Sequence, residues 1–419
     1  MTTPTSSAAG APGAAARARR GRDVGEAHRV STPLELLFDL VFVVAIALAA
    51  QQLHHGVMEH HTGRALASFL AAFSAIWWAW MNYTWFASAY DDDSAVFRLL
   101  TLLQMGGALV FATGIGGLFQ GDFRVGVLGY AVMRMALVVQ WLLAARGDPA
   151  HRAACLRYAA GVTFVQVLWI ARLALPLEWA WPSFVALMAL ELAVPVWAER
   201  PGMTPWHPHH IAERYGLLVI ITLGECVLGT TNAVAGIWQA QGWSLDLALV
   251  GLAGTSLAFA LWWMYFLQPS GDALHHHRDR AFLWGYGHYV VFASAAAVGA
   301  SLEVVADVLK AHGEVTAAAH AGAEAHGVSP LYAITLLAAA VAVFVASFSF
   351  IYARTTRTED KVLGLTLLCL ACVALGPLAV WLLHVPLAWA MLLLPLGPVI
   401  VIVHHERGRK RHAERFAVR

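Results

Sequence analysis

The chain is poor in charge, poor in cysteine and without the signatures of common soluble enzymes. Asp, Glu, Lys and Arg make up 13% of its 419 residues, and the apolar set makes up 59%. An ordinary soluble domain carries about 25% charged and roughly 45–50% apolar residues, so a soluble globular domain and a disordered chain are both excluded. Four cysteines are too few to staple this length, which excludes a disulfide scaffold. Cys369 and Cys372 have CxxC spacing, but they lie in the run LLCLACVAL with no neighbouring His or acid. They read as small helix-packing residues rather than a redox or zinc pair. No GxxxxGK[ST], HExxH or GxSxG is present, so ATP-driven phosphoryl transfer is not expected. The net charge of +1 gives no reason to expect a nucleic-acid partner.

What the chain does have is long apolar runs. A membrane-spanning helix needs about 20 apolar residues. Runs near 34–54, 65–89, 96–119, 125–145, 153–175 and 181–198 are followed by a second set near 211–234, 245–268, 281–308, 330–353, 362–384 and 387–404. Pro195, Pro395 and Pro398 interrupt the last span of each set. The expected fold is an all-α, polytopic transmembrane helix bundle of about twelve spans. Residues 1–30 read as a disordered basic tail, because no apolar stretch follows Arg17, Arg19, Arg20 and Arg22 as a signal peptide requires. Residues 31–200 and 201–407 form two six-helix units, and 408–419 is a basic tail. The longest connection is expected near 309–329.

Lys and Arg alternate sides with this assignment. One side collects the N-tail arginines, Arg98, Arg146, Arg152, Arg157, Arg200, Arg278, Arg280, Arg354, Arg357, Lys361 and the C-tail, whereas the other holds Arg64, Arg124 and Lys310. The positive-inside rule then places both termini in the cytoplasm. The partner is the lipid bilayer, the other ligand is an unknown small molecule or ion, and the oligomeric state is not readable.

The two units resemble each other. Glu35 and Glu213 open their first spans. Trp77-Trp78-Ala79-Trp80-Met81 is echoed by Trp262-Trp263-Met264, and Pro176-Leu177-Glu178-Trp179 by Pro386-Leu387-Ala388-Trp389. This predicts a 6+6 parallel internal repeat, with copies related by an axis along the membrane normal.

Charged residues inside spans are costly, roughly 2.5–3.5 kcal/mol each on insertion scales, and are functional candidates by default. In Thr32-Pro33-Leu34-Glu35-Leu36-Leu37-Phe38-Asp39, Thr32 reads as the N-cap, Pro33 as the first helical residue and Glu35 as the return arm of a capping box. Glu35 is therefore a cap acid, a functional group, or both. Asp39 shares its helix face and has no capping role, so it is functional or half of a buried ion pair. Glu213 and Arg214 open the seventh span, and Glu225 lies about 18 Å further along at 1.5 Å per residue. It follows Gly224, where another backbone is expected to approach closely. Glu225 is the leading candidate, as a titrating group or as the partner of Arg134 or Arg172.

ELLFDLVFV at 35–43 and ERYGLLVIITLGE at 213–225 resemble the two hallmark motifs of the low-temperature-requirement A (LtrA) family of bacterial membrane proteins. Leu37 stands where the first motif has an aromatic. The resemblance covers nearly the whole chain after residue 30 and implies a bacterial inner-membrane protein linked to growth in the cold. It implies no substrate or catalytic residue, and its motif positions are Glu35, Asp39, Glu213, Arg214, Gly224 and Glu225.

Weaker candidates are Asn82, Arg134, Glu191, His288 and Glu303, with a hydrogen-bonded packing role as the alternative for His288. Thirteen of the twenty histidines are expected to cluster in loops, at 54–61, 207–210, 275–277 and 312–326. No Cys or carboxylate constellation completes a tetrahedral site around them, so neither a metal nor a cofactor is expected. Three functions follow: a secondary transporter or ion-coupled permease with buried carboxylates in the pathway; a membrane-embedded lipid-modifying enzyme; or a non-catalytic scaffold or sensor. The first is favoured, so the chain is not expected to be an enzyme.

Overall fold

The computed structural model describes residues 21–22, 26, 29–318 and 327–417, and side chains for all of these except 241, 312–318, 359–361 and 408–417. Among the described residues there is no strand. Twelve helices are long and apolar enough to cross a membrane. They are α1 (Pro33–Met58), α2 (Thr62–Tyr90), α3 (Ala95–Thr113), α4 (Arg124–Gly147), α5 (Arg152–Ala174), α6 (Leu177–Ala198), α7 (Pro208–Ala240), α8 (Leu245–His276), α9 (Arg278–Ala311), α10 (Pro330–Thr356), α11 (Val362–Leu383) and α12 (Leu387–Arg407). Each corresponds to one expected span, and the molecule is a multi-pass helical membrane protein.

The helix starts follow from local sequence. Thr32 caps α1 in a full capping box: its hydroxyl accepts from the Glu35 N–H, and the Glu35 carboxylate accepts from the Thr32 N–H at 2.8 Å. Ser94, Ser244 and Ser329 cap α3, α8 and α10 more simply, each hydroxyl accepting from the backbone N–H three residues on. His207 caps α7 with its ring nitrogen, and Pro208 opens the helix. The departures from expectation have equally local causes. The third span stops at Thr113, and a six-residue helix, Ile115–Gln120, follows Gly114. The ninth helix runs on to Ala318, into the stretch expected to be a loop; the rest of that stretch, 319–326, lies outside the described residues, as does most of the N-terminal tail, whereas the stretch expected to be a C-terminal tail continues the last helix to Ala417. Pro195 is accommodated within α6. In α12 the helix breaks between Met391 and Leu396, where Pro395 cannot donate an N–H to the preceding turn.

A run of helix neighbours is common to the first six helices and the last six, although α8 and α10 also pack on α12 without an equal contact in the first six. α1 packs on α2 and α3, α3 on α4, α4 on α5 and α5 on α6; α7 packs on α8 and α9, α9 on α10, α10 on α11 and α11 on α12. The first six helices meet the last six along α1 and α2, each of which lies against both α7 and α9. Closest approach is made at glycine. A Cβ at Gly299 of α9 would lie 2.6 Å from the carbonyl of Glu225 on α7, and one at Gly229 would lie 2.6 Å from the Gly299 oxygen. The expected approach at Gly224 is not made: nothing lies within 4 Å of its Cβ direction, and the position is exposed. Helix rotation puts Gly224 outward and Glu225 inward.

Candidate functional site

The starts of α1 and α7 converge on a buried cluster of charges. Arg214 is fully buried and donates from Nη2 to Asp39 Oδ1 at 2.6 Å. Its Nη1 lies 3.1 Å from Glu35 Oε1. Asp39 also accepts from the Trp80 indole at 2.7 Å. On the other side of Glu35 stands His210, with Nε2 3.2 Å from Oε1, and Arg29, 3.7 Å away. Arg29 donates to the carbonyls of Ala87 and Ser88, which end α2. Burial pushes its guanidinium down to about 10, against the pull of Glu35. Two guanidinium groups face two carboxylates, which is the condition for holding charge in a low-dielectric interior. Hydrogen bonding is incomplete all the same. Asp39 Oδ2, Glu35 Oε1, Arg214 Nε and Nη1, Arg29 Nε and His210 Nδ1 are buried without a hydrogen-bond partner. Such groups mark places where charge and hydration have a role beyond packing. Glu213 stands at the edge, half-buried, accepting from the Ser31 N–H at 3.2 Å.

Glu225 lies elsewhere. It is buried, and among the described residues no hydrogen bond or ion pair reaches it. The two cations expected as partners are engaged differently. Arg134 pairs with Glu191 at 3.1 Å, and Arg172 donates to Ser183 Oγ and the Ala180 carbonyl at 2.9 and 2.8 Å. The charged neighbour of Glu225 is another acid, Glu303 on α9. From there a polar string follows α9 away from the Arg214 cluster. Asn232 Nδ2 donates to Glu303 at 2.7 Å. His54 of α1 lies 3.8 Å from Glu303 and 2.8 Å from Asp307, and Lys310 lies 2.9 Å from Asp307. Positions 303, 307 and 310 share one helix face.

The family profile described as "Bacterial low temperature requirement A protein (LtrA)" matches residues 30–401. The chain belongs to the LtrA family. A Rhizobium meliloti (strain 1021) protein, itself described as uncharacterized, is 27% identical over 272 residues, 61% of this chain. The chain covers 64% of that relative's length. No solved structure matches.

The LtrA motif positions therefore divide in space: Glu35, Asp39, Glu213 and Arg214 are brought together, while Glu225 is set apart. The remaining candidates have assigned partners. Asn82 donates to the Trp78 carbonyl one turn back. His288 is fully buried between the Trp284 carbonyl and the Tyr265 hydroxyl, the packing role foreseen as its alternative. Glu191 accepts from the indoles of Trp78 and Trp169 as well as from Arg134. Among the described residues no group of three or more His, Cys, Asp or Glu is placed to hold a metal ion. Sequence reasoning placed His54 and His210 in loops, but they lie within α1 and α7, and it missed Arg29 and Asp307. For His210 a signal existed, since it stands four residues before Arg214 and so on the same face. For Arg29, inside a stretch of tail composition, there was none.

Proposed function

We propose that this LtrA protein is a secondary transporter or ion-coupled permease that moves a solute rather than converting it. The observation that carries the reading is the buried charge cluster at the joint between the units, with Glu35 and Asp39 from α1 facing His210 and Arg214 from α7. Two bodies joined through ionisable groups change their preferred arrangement when a proton or ion changes that charge. Glu225 is the coupling group in this reading: it is unpaired, and the string of Glu303, His54 and Asp307 connects its neighbourhood with the far ends of α1 and α9. The repeated order of helix neighbours supports a parallel 6+6 repeat. The distribution of Lys and Arg supports a bacterial inner-membrane setting with both termini cytoplasmic.

The test uses proteoliposomes loaded with a pH-sensitive dye and a panel of amino acids, organic anions and metal ions. One class is expected to drive proton movement with the natural protein and none with Glu225→Gln, although that variant inserts and melts normally. Equal proton movement with both proteins contradicts the assignment of Glu225. The balance of two cations against two carboxylates favours a second reading, in which the cluster is a brace that orders a scaffold or sensor. Silence of the natural protein across the whole panel supports that one.

A further inference from the structure

A partly open cavity of about 430 Å³ lies among the first six helices, lined by α2, α3, α4, α5, α6 and the short helix after α3. It is separate from the Arg214 cluster and the Glu225 string, and it shares no residue with either. Its wall has the composition of a small-molecule site, an apolar and aromatic lining with a few convergent polar groups. Tyr130, Trp169 and Phe184 are among the rings that line it.

Three polar features give the lining a chemical direction. Gln166 lines the cavity and is 6% exposed, and neither its Oε1 nor its Nε2 has a hydrogen-bond partner. A buried primary amide with both ends unmet costs free energy unless something polar enters to meet it. Glu191, also in the wall, is already compensated by Arg134 and by two indoles, so it adds no net charge. Arg172, in the wall as well, is 6% exposed and has no carboxylate partner among the described residues. Its Nε and Nη2 are used by Ser183 and Ala180, its Nη1 makes no hydrogen bond among the described residues, and its guanidinium lies 4.2 Å from the Phe123 ring centre. Arg64, exposed in the same lining, donates at 3.3 Å to the Phe119 carbonyl and likewise lacks a carboxylate. The lining thus carries a surplus of positive charge around an apolar chamber.

We infer that this cavity binds an amphipathic organic monoanion, with its acid group at Arg172, its apolar body among Tyr130, Trp169 and Phe184, and a hydrogen-bonding contact at Gln166. A guanidinium with a free N–H meets a carboxylate with a charge-assisted hydrogen bond, and the aromatic rings take a flat or chain-like body. The inference goes beyond the transport reading, because equilibrium occupancy of this site does not depend on movement of the units.

The test is isothermal titration of the purified full-length protein in detergent with 2-naphthoate, neutral 2-naphthamide and cationic 2-naphthylmethylammonium. The anion is expected to bind at least about tenfold tighter than the other two, a difference of about 1.4 kcal/mol. Arg172→Gln is expected to abolish that preference, and Gln166→Leu to weaken binding of the anion. Ala75→Phe puts bulk into the chamber without touching its charge and is expected to remove binding of all three probes. Melting curves accompany each variant, and the three-probe comparison on the natural protein stands even if a variant fails to fold. Equal affinity for the anion and the amide overturns the inference, as does full binding by a folded Ala75→Phe protein. Competition with oleate separates two sources of the same chemistry. Displacement assigns the site to membrane-derived anions, and failure of oleate to displace bound naphthoate assigns it to soluble ones.

Discussion

Arg214 of α7 and Asp39 of α1 are joined at 2.6 Å although 175 residues separate them in the chain. Both are buried, so the bond ties α1 to α7 where water cannot compensate for its loss. Removing one partner of a buried pair costs about 3–5 kcal/mol, because the survivor stays charged and dry. Asp39→Asn is expected to lower the thermal midpoint by an amount in keeping with this. The double change Asp39→Leu with Arg214→Met is expected to recover part of the loss. Thermal unfolding in detergent measures both, and a double variant less stable than Asp39→Asn would speak against the pair as the main tie.

Glu225 is expected to behave in the opposite way. It has no partner among the described residues, so Glu225→Gln should leave stability within about 0.5 kcal/mol of the natural protein or raise it. The same melting experiment decides. A loss comparable to that of Asp39→Asn would show that Glu225 has a cationic partner after all.

Gly299, inside the α7–α9 contact, and Gly224, on the open side of α7, make a matched pair. At Gly299 a methyl group would press on the backbone carbonyl of Glu225 at 2.6 Å, and no side-chain rotation relieves that. Gly299→Ala is expected to cost about 1–3 kcal/mol. At Gly224 there is open space, and alanine favours a helix by roughly 0.5–1 kcal/mol over glycine. Opposite shifts of the thermal midpoint are expected for the two variants, and shifts of the same sign would contradict this packing.

His207 makes the α7 cap sensitive to acid. Its Nδ1 accepts from the His210 N–H, and its Nε2 meets the Glu26 carbonyl at 2.8 Å, so the neutral ring with its proton on Nε2 fits and the doubly protonated ring does not. Burial accordingly holds its pKa below the usual histidine value. The folded state then takes up its proton at lower pH than the unfolded chain, which protonates near 6.5. Stability from this group is complete above about pH 6.5 and falls as the pH drops toward the folded-state value. Melting between pH 5 and 8 is expected to show that decline. His207→Asn, which keeps a capping oxygen, is expected to flatten it, and an unchanged slope would remove His207 from the account.

The legible part of this molecule was what local sequence controls. Span positions follow from apolar run length, and the α1 start follows from Thr32, Pro33 and Glu35 in fixed order. Glu35, Asp39 and Arg214 stood out because charge inside an apolar run is costly wherever the helix packs. Partnership across helices was not legible. Arg134 was a candidate partner for Glu225 and instead faces Glu191, because helix rotation and the choice of neighbours are set by packing over the whole bundle. Gly224 illustrates the same limit, since one residue of rotation separates the close contact at Glu225 from open surface. Arg29 was hidden for a different reason: its burial depends on the carbonyls that end α2, and nothing in the composition around residue 29 marks it.

The tie between Asp39 and Arg214 also has a consequence for biogenesis. The acids leave the ribosome first, and their guanidinium follows 175 residues later. At about 5–20 residues per second, the first hairpin waits roughly 9 to 35 seconds with two carboxylates whose main counter-charge has not yet been made. During that interval the early helices gain by staying close to the insertion machinery or to water. The arrival of α7 then releases them into the bilayer as a finished joint.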